Sequence, residues 1–193
     1  MLEVLGFFTG LVSVWLAVRE NVWTWPTGSL NSAAWGLLFV GSRLYTDAGL
    51  QLVYIALAVL GWYWWLRGGD RHSVLAVSRT PREEAIKLVA VGVLVTIAFT
   101  AMNARFTDTD VPFWDALTTV LSLVATYMLT RKRFENWYVW ITVDVLYIAL
   151  YSYKTLYLTA GLQVVFIGMC FAGLRDWRRS LREPETAAAE AVA

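Results

Sequence analysis

Five side chains around residue 144 have the types and the spacing of a binding site for a small aromatic molecule. Trp137, Trp140, Asp144, Tyr147 and Tyr151 follow one another at intervals of 3, 4, 3 and 4 residues, so they share one face of a helix. The stretch around them, ENWYVWITVDVLYIALY, is apolar and about long enough to cross a bilayer. A carboxylate at that depth costs about 2.5–3.5 kcal/mol even on a mild insertion scale, so this face is expected to point into a helix bundle. Tryptophan rings stack on bases and attract cations, and a carboxylate accepts hydrogen bonds or balances a positive charge. The alternative is a structural aspartate that bonds to a neighbouring helix, with the aromatic side chains filling the core.

Two further predicted helices carry polar faces that could complete the site. We predict Asn31, Trp35 and Gln51 as additional substrate contacts, because an amide both donates and accepts hydrogen bonds. The alternative for each amide is a hydrogen bond that joins two helices. The faces consist of Thr24, Gly28, Asn31, Trp35 and Ser42 on the second helix, and of Gln51, Tyr54, Ala58 and Trp62 on the third. Gln163 and Asn103 are the other amides near these positions.

Composition indicates a membrane protein. Of 193 residues, 58% are hydrophobic and 16% are charged, which is more apolar surface than a soluble domain of this size can bury. A net charge of +1 gives no field that would attract nucleic acid. Metal-ligand clusters, phosphate-binding loops and nucleophile motifs are missing from the sequence, so neither an enzyme nor a cofactor is predicted. The N-terminal MLEVLGFF lacks the basic region and cleavage site of a signal peptide and is interpreted as the start of the first membrane helix.

Seven apolar runs are long enough to span a bilayer, which predicts an all-α integral membrane protein. The predicted spans are Leu2–Val18, Val22–Ser42, Ala48–Leu66, Ile86–Ala104, Val111–Thr130, Trp137–Tyr153 and Leu156–Leu174. The final stretch, REPETAAAEAVA, is low in complexity and is predicted to be a frayed or disordered cytoplasmic tail at 182–193.

Basic residues predict the orientation, because Lys and Arg accumulate in cytoplasmic loops. With the N-terminus outside and the C-terminus inside, 13 of the 16 basic residues lie on the inner side. The outer side then keeps only Arg43, Arg105 and Lys154. We therefore expect a multi-pass protein of the cell (cytoplasmic) membrane, with the RKRFEN run at 131–136 as an inner anchor.

An internal repeat predicts how the helices are grouped. AGLQLVYI at 48–55 matches AGLQVVFI at 160–167 with an offset of 112, whereas ENVWTW at 20–25 matches ENWYVW at 135–140 with an offset of 115. The sequence thus predicts two parallel three-helix repeats, 1–66 and 111–181, with a three-residue slip between the second and third helices of each. An inner loop and linker helix at 67–110 joins them. This 3+1+3 plan is that of SWEET-type transporters, which bind substrate near the midplane between the repeats. The alternative is a duplicated packing unit without transport.

Asp115 is a second acidic side chain in the interior of a predicted span. It follows DTDVP, which is typical of a helix start with proline in the first turn. A carboxylate there is favoured by the helix dipole, so we predict a role in capping or in an outer vestibule.

The sixth and seventh predicted helices resemble the Pnu-type vitamin transporters, specifically their nicotinamide riboside (PnuC) branch. The W-x-x-W-x-x-x-N/D pattern of that branch is met by Trp137, Trp140 and Asp144, and NVWTWPTGSLNS at 21–32 and ALAVLGWYWW at 56–65 are also similar. The resemblance covers nearly the whole chain up to about Arg182. It implies the 3+1+3 fold, uptake by facilitated diffusion, trapping of the product by phosphorylation inside the cell, and a homotrimer.

The resemblance implies nicotinamide riboside as the small-molecule substrate. Its cationic pyridinium suits stacking on Trp137 and Trp140, and Asp144 could balance the charge, while Gln51 and Asn31 could bind the remaining polar edges. No basic residue lies in the interior of a predicted span, since Lys87 is at the very start of the fourth, and this argues against the mononucleotide. The alternatives are transport of thiamine or riboflavin, as in other branches, and a seven-helix receptor or structural membrane protein. The missing second titratable group beside Asp144 favours transport without ion coupling.

Overall fold

The structure is a computed structural model that describes residues 2–41, 43 and 45–190. The described residues form seven long helices and one short 3-10 helix at Asp70–His72. The long helices are α1 (Leu2–Val18), α2 (Thr24–Gly41), α3 (Tyr45–Arg67), α4 (Arg82–Phe106), α5 (Pro112–Thr130), α6 (Asn136–Tyr153) and α7 (Tyr157–Glu190). The prediction of an all-α chain with seven helices is confirmed, and six of the seven predicted spans agree with these helices to within a few residues. Ser42, the predicted end of the second span, lies outside the described residues.

Within the described residues, four helices are long and apolar enough to cross a bilayer, namely those at Asp47–Arg67, Arg82–Phe106, Pro112–Thr130 and Tyr157–Arg182. Leu5–Val18 is a shorter apolar helix. α2 and α6 have 18 residues each and carry many polar and tryptophan side chains that face the bundle interior. α4 is the most peripheral: Ile86, Val89 and Leu94 are each at least 67% exposed, which is the pattern of a helix that faces lipid.

The seventh helix is longer than predicted, and residues 182–190, which the sequence predicts as part of a frayed or disordered tail, have helical backbone. Two physical causes account for the difference. The side chain of Trp177 is fully buried and holds the helix to the bundle well beyond the apolar run that ends at Leu174. The final stretch is also rich in alanine and glutamate, which have high helix propensity. Residues 191–193 of the predicted tail lie outside the described residues.

The helices pack as two groups of three around a shared interface. In the first unit, α1–α3, α2 packs against both neighbours, and in the second unit, α5–α7, α6 does the same. The units meet where α3 packs on α5 and α1 packs on α7. α4 packs on α5.

Equivalent contacts recur in the two units with one constant offset of 112 residues. The indole N–H of Trp65 donates to the carbonyl of Leu129 at 3.0 Å, and that of Trp177 donates to the carbonyl of Ala17 at 3.1 Å. Left-handed backbone recurs as well, at Glu20 and Lys132 (φ 52° and 47°) and at Arg43 and Thr155 (φ 61° and 59°). The two halves of the chain are therefore built on one plan.

The predicted three-residue slip between the repeats is wrong. Trp25 packs against Gly61 and Trp137 packs against Gly173, so Trp25 is equivalent to Trp137 and not to Trp140. The error has a physical cause, because residues three apart lie on the same face of a helix. Shifting one repeat against the other by about one helical turn therefore keeps tryptophans aligned with tryptophans. The local identity of ENVWTW and ENWYVW favours an alignment that is one turn away from the correct one. At the correct offset the partner of Asp144 is Ser32.

The segment between α3 and α4 ties the predicted inner anchor to the rest of the fold. The Ser78 N–H donates to the Lys132 carbonyl at 3.0 Å, and the Phe134 N–H donates to the Ser78 carbonyl at 2.9 Å. Arg133 forms an ion pair with Glu84 at 2.5 Å, and Glu135 accepts hydrogen bonds from the backbone and hydroxyl of Thr80. We call this end of the bundle, which carries residues 19–23, 68–81 and 131–135, the loop end.

Candidate functional site

A cavity of about 340 Å³ lies between the two units. Every long helix except α4 contributes to its wall. Many of the lining residues are partners at the 112-residue offset, which locates the cavity on the axis that relates the units. These partners are Val14 and Thr126, Ala17 and Leu129, Trp25 and Trp137, Gly28 and Trp140, Ser32 and Asp144, Trp35 and Tyr147, Gln51 and Gln163, Tyr54 and Phe166, and Ala58 and Cys170.

Four of the five side chains on the predicted α6 face line this cavity. They are Trp137, Trp140, Asp144 and Tyr147. Tyr151 does not line it; its ring stacks on that of Tyr147, with centroids 5.2 Å apart and planes 8° from parallel. Tyr151 thus supports the orientation of Tyr147 from one turn away.

The two tryptophans of this face have different surroundings. Trp137 is only 2% exposed, and its ring packs edge-on against Trp177 at 5.3 Å. Trp140 is half-buried, which leaves more of its ring available to a bound molecule. Trp140 therefore presents an accessible aromatic ring to the cavity, whereas the ring of Trp137 is packed into the protein.

Asp144 is the acidic side chain of the cavity wall. It is 4% exposed, and the Cys170 thiol donates to its Oδ2 at 3.8 Å. The described lining residues include neither a lysine nor an arginine. A buried carboxylate without a cationic partner is costly, because burial removes its hydration without replacing it. The site is therefore suited to a ligand that brings a positive charge or several hydrogen-bond donors.

Asn31 lines the cavity but is also held by its own unit. Its amide nitrogen donates to the Gly6 carbonyl and to the Thr9 hydroxyl, the latter at 3.2 Å. Both partners belong to α1, so the Asn31 amide nitrogen joins α2 to α1. This is the alternative that the sequence allowed for such an amide. Trp35 also lines the cavity, and its ring stacks on Phe39 with centroids 5.9 Å apart.

The other predicted polar positions divide between the cavity and the periphery. Gln51, Gln163, Tyr54, Thr24, Gly28 and Ala58 line the cavity. Thr24 exchanges hydrogen bonds with Ser13 of α1. Trp62 is 45% exposed and does not line the cavity, and neither does Asn103. The Asp115 carboxylate accepts a hydrogen bond from Thr109 Oγ1 at 2.5 Å and forms an ion pair with Lys154 at 3.2 Å. It therefore links the start of α5 to the segment before it and to the end of α6.

Sequence reasoning missed the contributions of α1 and α5 to the wall. Ser13 and Val14 on α1 and Thr126 and Leu129 on α5 line the cavity, together with Phe166 and Cys170 on α7. These residues are small or apolar and carry no motif. A constant 112-residue offset would have identified Ser32 as the partner of Asp144. The predicted three-residue slip concealed this relation. The described residues contain no group of three His, Cys, Asp or Glu side chains that could hold a metal ion.

The comparisons with known proteins agree with this architecture. A model of the nicotinamide mononucleotide transporter family matches residues 1–179. The chain is 27% identical to the nicotinamide riboside transporter PnuC of Escherichia coli, over 94% of this chain and 87% of that protein. It is 33% identical to the riboflavin/roseoflavin transporter RibM of Streptomyces davaonensis, over 91% of this chain and 83% of that protein. The crystal structure of the vitamin B3 transporter PnuC has the same fold, with a TM-score of 0.72 and 20% identity over 94% of this chain and 82% of that one.

The family match covers far more than half of the chain, so the predicted resemblance to Pnu-type transporters is confirmed. A transporter of this kind carries a small vitamin across the bilayer and performs no covalent chemistry on it. The chain belongs to the nicotinamide mononucleotide transporter family, whose members are multi-pass membrane transporters and not enzymes.

Proposed function

We propose that this protein takes up nicotinamide riboside by facilitated diffusion through the cavity between its two units. The observation that carries the proposal is Asp144, a buried carboxylate without a cationic partner among the described lining residues. Nicotinamide riboside carries a fixed positive charge on an aromatic ring. Trp140 provides a stacking surface close to the carboxylate in sequence and on the same helix face, so one ligand ring can engage both.

The remaining polar groups of the cavity suit the rest of this substrate. Gln51, Gln163 and Ser32 line the wall with amide and hydroxyl groups that can bind a carboxamide or ribose hydroxyls. A phosphate would meet Asp144 without a lysine or arginine in the described wall to offset the repulsion. We therefore favour the riboside over the mononucleotide that the family description names.

Riboflavin is the second candidate, because the riboflavin/roseoflavin transporter RibM is 33% identical to this chain. The isoalloxazine ring of riboflavin is neutral and could stack on Trp140 without using the charge of Asp144. Thiamine is a third candidate with a cationic ring. The charge of the ligand ring is thus the property that separates riboflavin from the other two.

We also propose the 3+1+3 architecture for the membrane-embedded protein. The first unit, α1–α3, and the second unit, α5–α7, would cross the membrane in parallel, and α4 would link them as a seventh crossing. The excess of Lys and Arg at the loop end favours a cytoplasmic location for that end, with the N-terminus outside. A homotrimer in the cell membrane follows from the family resemblance and is part of the proposal.

The function is tested by a competition series on purified protein. Nicotinamide riboside, its mononucleotide, thiamine and riboflavin would each be titrated by calorimetry under identical conditions. We expect the riboside to bind most tightly and the mononucleotide far more weakly. Tighter binding of riboflavin would replace the substrate assignment with the second candidate, and equal binding of the mononucleotide would contradict the argument from charge.

Replacing Trp140 with alanine is expected to weaken riboside binding by about 1–2 kcal/mol, because a stacking surface for one ring is lost while the rest of the wall remains. The measurement is the dissociation constant of the purified variant. Trp62→Ala is the matched control, since Trp62 is a tryptophan outside the cavity. Equal affinities in both variants and the unchanged protein would exclude Trp140 from the site.

Transport is expected to proceed without ion coupling. Asp144 has no second acidic or basic group beside it in the described wall, as a proton relay would require. In proteoliposomes, labelled riboside should equilibrate down its own gradient, and an imposed proton or sodium gradient should not concentrate it. Net accumulation driven by either ion would make Asp144 a coupling residue instead.

A further inference from the structure

Polar contacts between the two units are concentrated at the loop end. Trp65 of α3 bonds to the end of α5, and Trp177 of α7 bonds to the end of α1. Glu20, between α1 and α2, pairs with Lys132, between α5 and α6. Within the described part of the chain, the two tryptophan hydrogen bonds and the ion pair that cross the unit boundary all lie at this end, whereas the Tyr54 and Ser122 side chains bond across it nearer the middle of the bundle.

The Glu20–Lys132 pair lies on the axis that relates the units. The two residues are partners at the 112-residue offset, and both have left-handed backbone, with φ of 52° and 47°. The Lys132 ammonium is 2.9 Å from Glu20 Oε2 and 4.7 Å from the centre of the Trp65 ring, and Lys132 is 4% exposed. The second oxygen of Glu20 accepts from the Ser180 hydroxyl at 2.5 Å. Each repeat thus supplies one charge of a single shared ion pair.

The pair lies on the loop-end side of the cavity. Ala17, Trp25, Leu129 and Trp137 line the cavity at its loop-end limit. These residues immediately precede or follow the loops that carry Glu20 and Lys132. Trp65 and Trp177 pack beneath them, with ring centroids 6.2 Å apart, and complete a tryptophan layer between the cavity and the ion pair. A substrate that leaves through the loop end would have to separate these groups.

We propose that Glu20 and Lys132 form a latch that holds the loop end closed and that breaks each time the protein opens there. The proposal rests on the proposed transport through this cavity. In this proposal the latch controls from which side of the membrane the cavity is accessible. It does not contact the substrate. The ion pair joins the two units, so it stabilises the closed arrangement of the units relative to the open one. It does not stabilise the fold of either unit by itself.

The nearby pair between Arg133 and Glu84 provides a matched control. It is also an ion pair at the loop end, at 2.5 Å, but it ties the second unit to α4 and does not cross the boundary between the units. Its loss should perturb the loop end locally without releasing the latch. Glu84→Gln therefore separates general loosening from opening of the unit interface.

Cys170 supplies a readout that does not depend on which vitamin is carried. It is the single cysteine of the chain, is 3% exposed and lines the cavity. A charged methanethiosulfonate that cannot cross the bilayer would be applied from the loop side of vesicles, and the labelling rate of Cys170 would be measured by mass spectrometry. Cys170→Ser gives the background. Riboside binding measured separately distinguishes failure of the latch from failure of the proposed function.

We expect Glu20→Gln and Lys132→Gln to raise the loop-side labelling rate by about five- to thirtyfold. Losing one favourable interaction of the closed state raises the population of the open state by such a factor. Glu84→Gln should leave the rate unchanged. The exchange Glu20→Lys with Lys132→Glu should return the rate close to that of the unchanged protein, because the equivalent positions place the new lysine beside Trp177 as Lys132 is beside Trp65.

Three results would overturn the latch. The first is an unchanged labelling rate in Glu20→Gln, the conservative variant, whose amide oxygen can still accept from Ser180. The second is an equal increase in Glu84→Gln. The third is failure of the charge exchange to restore the slow rate while the exchanged protein elutes as a single species.

Discussion

Replacement of Asp144 with alanine is expected to weaken nicotinamide riboside binding by about 2–5 kcal/mol, at least about thirtyfold in the dissociation constant. This is the usual cost of removing one partner of a buried charge pair, because the other charge is left without compensation. In the unliganded protein the same change removes a buried carboxylate whose described partner is the Cys170 thiol alone. The variant should therefore fold at least as well as the unchanged protein, and titration of the riboside into purified protein measures the loss.

Two matched variants identify the cause of that loss. Asp144→Asn keeps the size and the hydrogen-bond acceptor but removes the charge, so it should lose most of the affinity if the ring charge is what Asp144 recognises. Asp115→Asn removes a carboxylate outside the cavity that pairs with Lys154, and it should bind the riboside normally. Full affinity in Asp144→Asn would show that a hydrogen bond suffices, and full affinity in Asp144→Ala would remove the residue from the site.

The sequence was most informative where hydrophobicity and periodicity act locally. Six of the seven long helices were predicted close to their observed positions, because an apolar run bounded by charged loops has few alternatives in a bilayer. The shared α6 face of five side chains was predicted from their spacing, and its inward direction was predicted from the cost of a carboxylate in lipid. Four of the five line the cavity, and Tyr151, one turn beyond Tyr147, does not.

Contacts between distant helices were beyond the reach of the sequence. The amide nitrogen of Asn31 bonds to α1, and no pattern within α2 indicates whether it does so or points into the cavity. Trp62 shares a predicted face with Gln51, yet it is 45% exposed and lies outside the cavity, whereas Trp65, three residues further along α3, is buried. The length of α7 depended on the burial of Trp177, a tertiary contact with the end of α1.

The corrected offset changes how the site is understood. Equivalent positions of the two units hold Asp144 opposite Ser32 and Trp140 opposite Gly28. The scaffold contacts of the tryptophan layer and the glutamines Gln51 and Gln163 are kept in both repeats, whereas the positions of Asp144 and Trp140 differ between them. The second unit thus carries a carboxylate and a tryptophan at positions where the first unit has a serine and a glycine. A substrate with one charged ring, and not two, is consistent with such an asymmetric pair of walls.

The same symmetry yields a prediction of stability. Replacing Gly173 with alanine is expected to lower the free energy of unfolding by about 1–3 kcal/mol, because the added Cβ would lie 2.4 Å from Trp137 Cε2 and the ring cannot move without disturbing its neighbours. Trp137 is 2% exposed and is packed against Trp177 on its other side. Gly61→Ala should cost a similar amount, since its Cβ would lie 2.4 Å from the ring of Trp25. Thermal unfolding of the detergent-solubilised variants measures both losses as a midpoint lowered by several degrees.

Gly168→Ala is the control for this prediction, because it lies in the same helix as Gly173 and a Cβ there would have no neighbouring atom within 4 Å. Alanine has a higher helix propensity than glycine by about 1 kcal/mol, so this variant should unfold at the same temperature or a higher one. If Gly173→Ala and Gly168→Ala unfold at the same temperature, the close approach of Trp137 to α7 is not rigid. A loss in Gly173→Ala without one in Gly61→Ala would instead mean that the two tryptophan contacts, although equivalent in geometry, differ in how firmly the surrounding helices hold them, and that the second unit is the more tightly packed of the two.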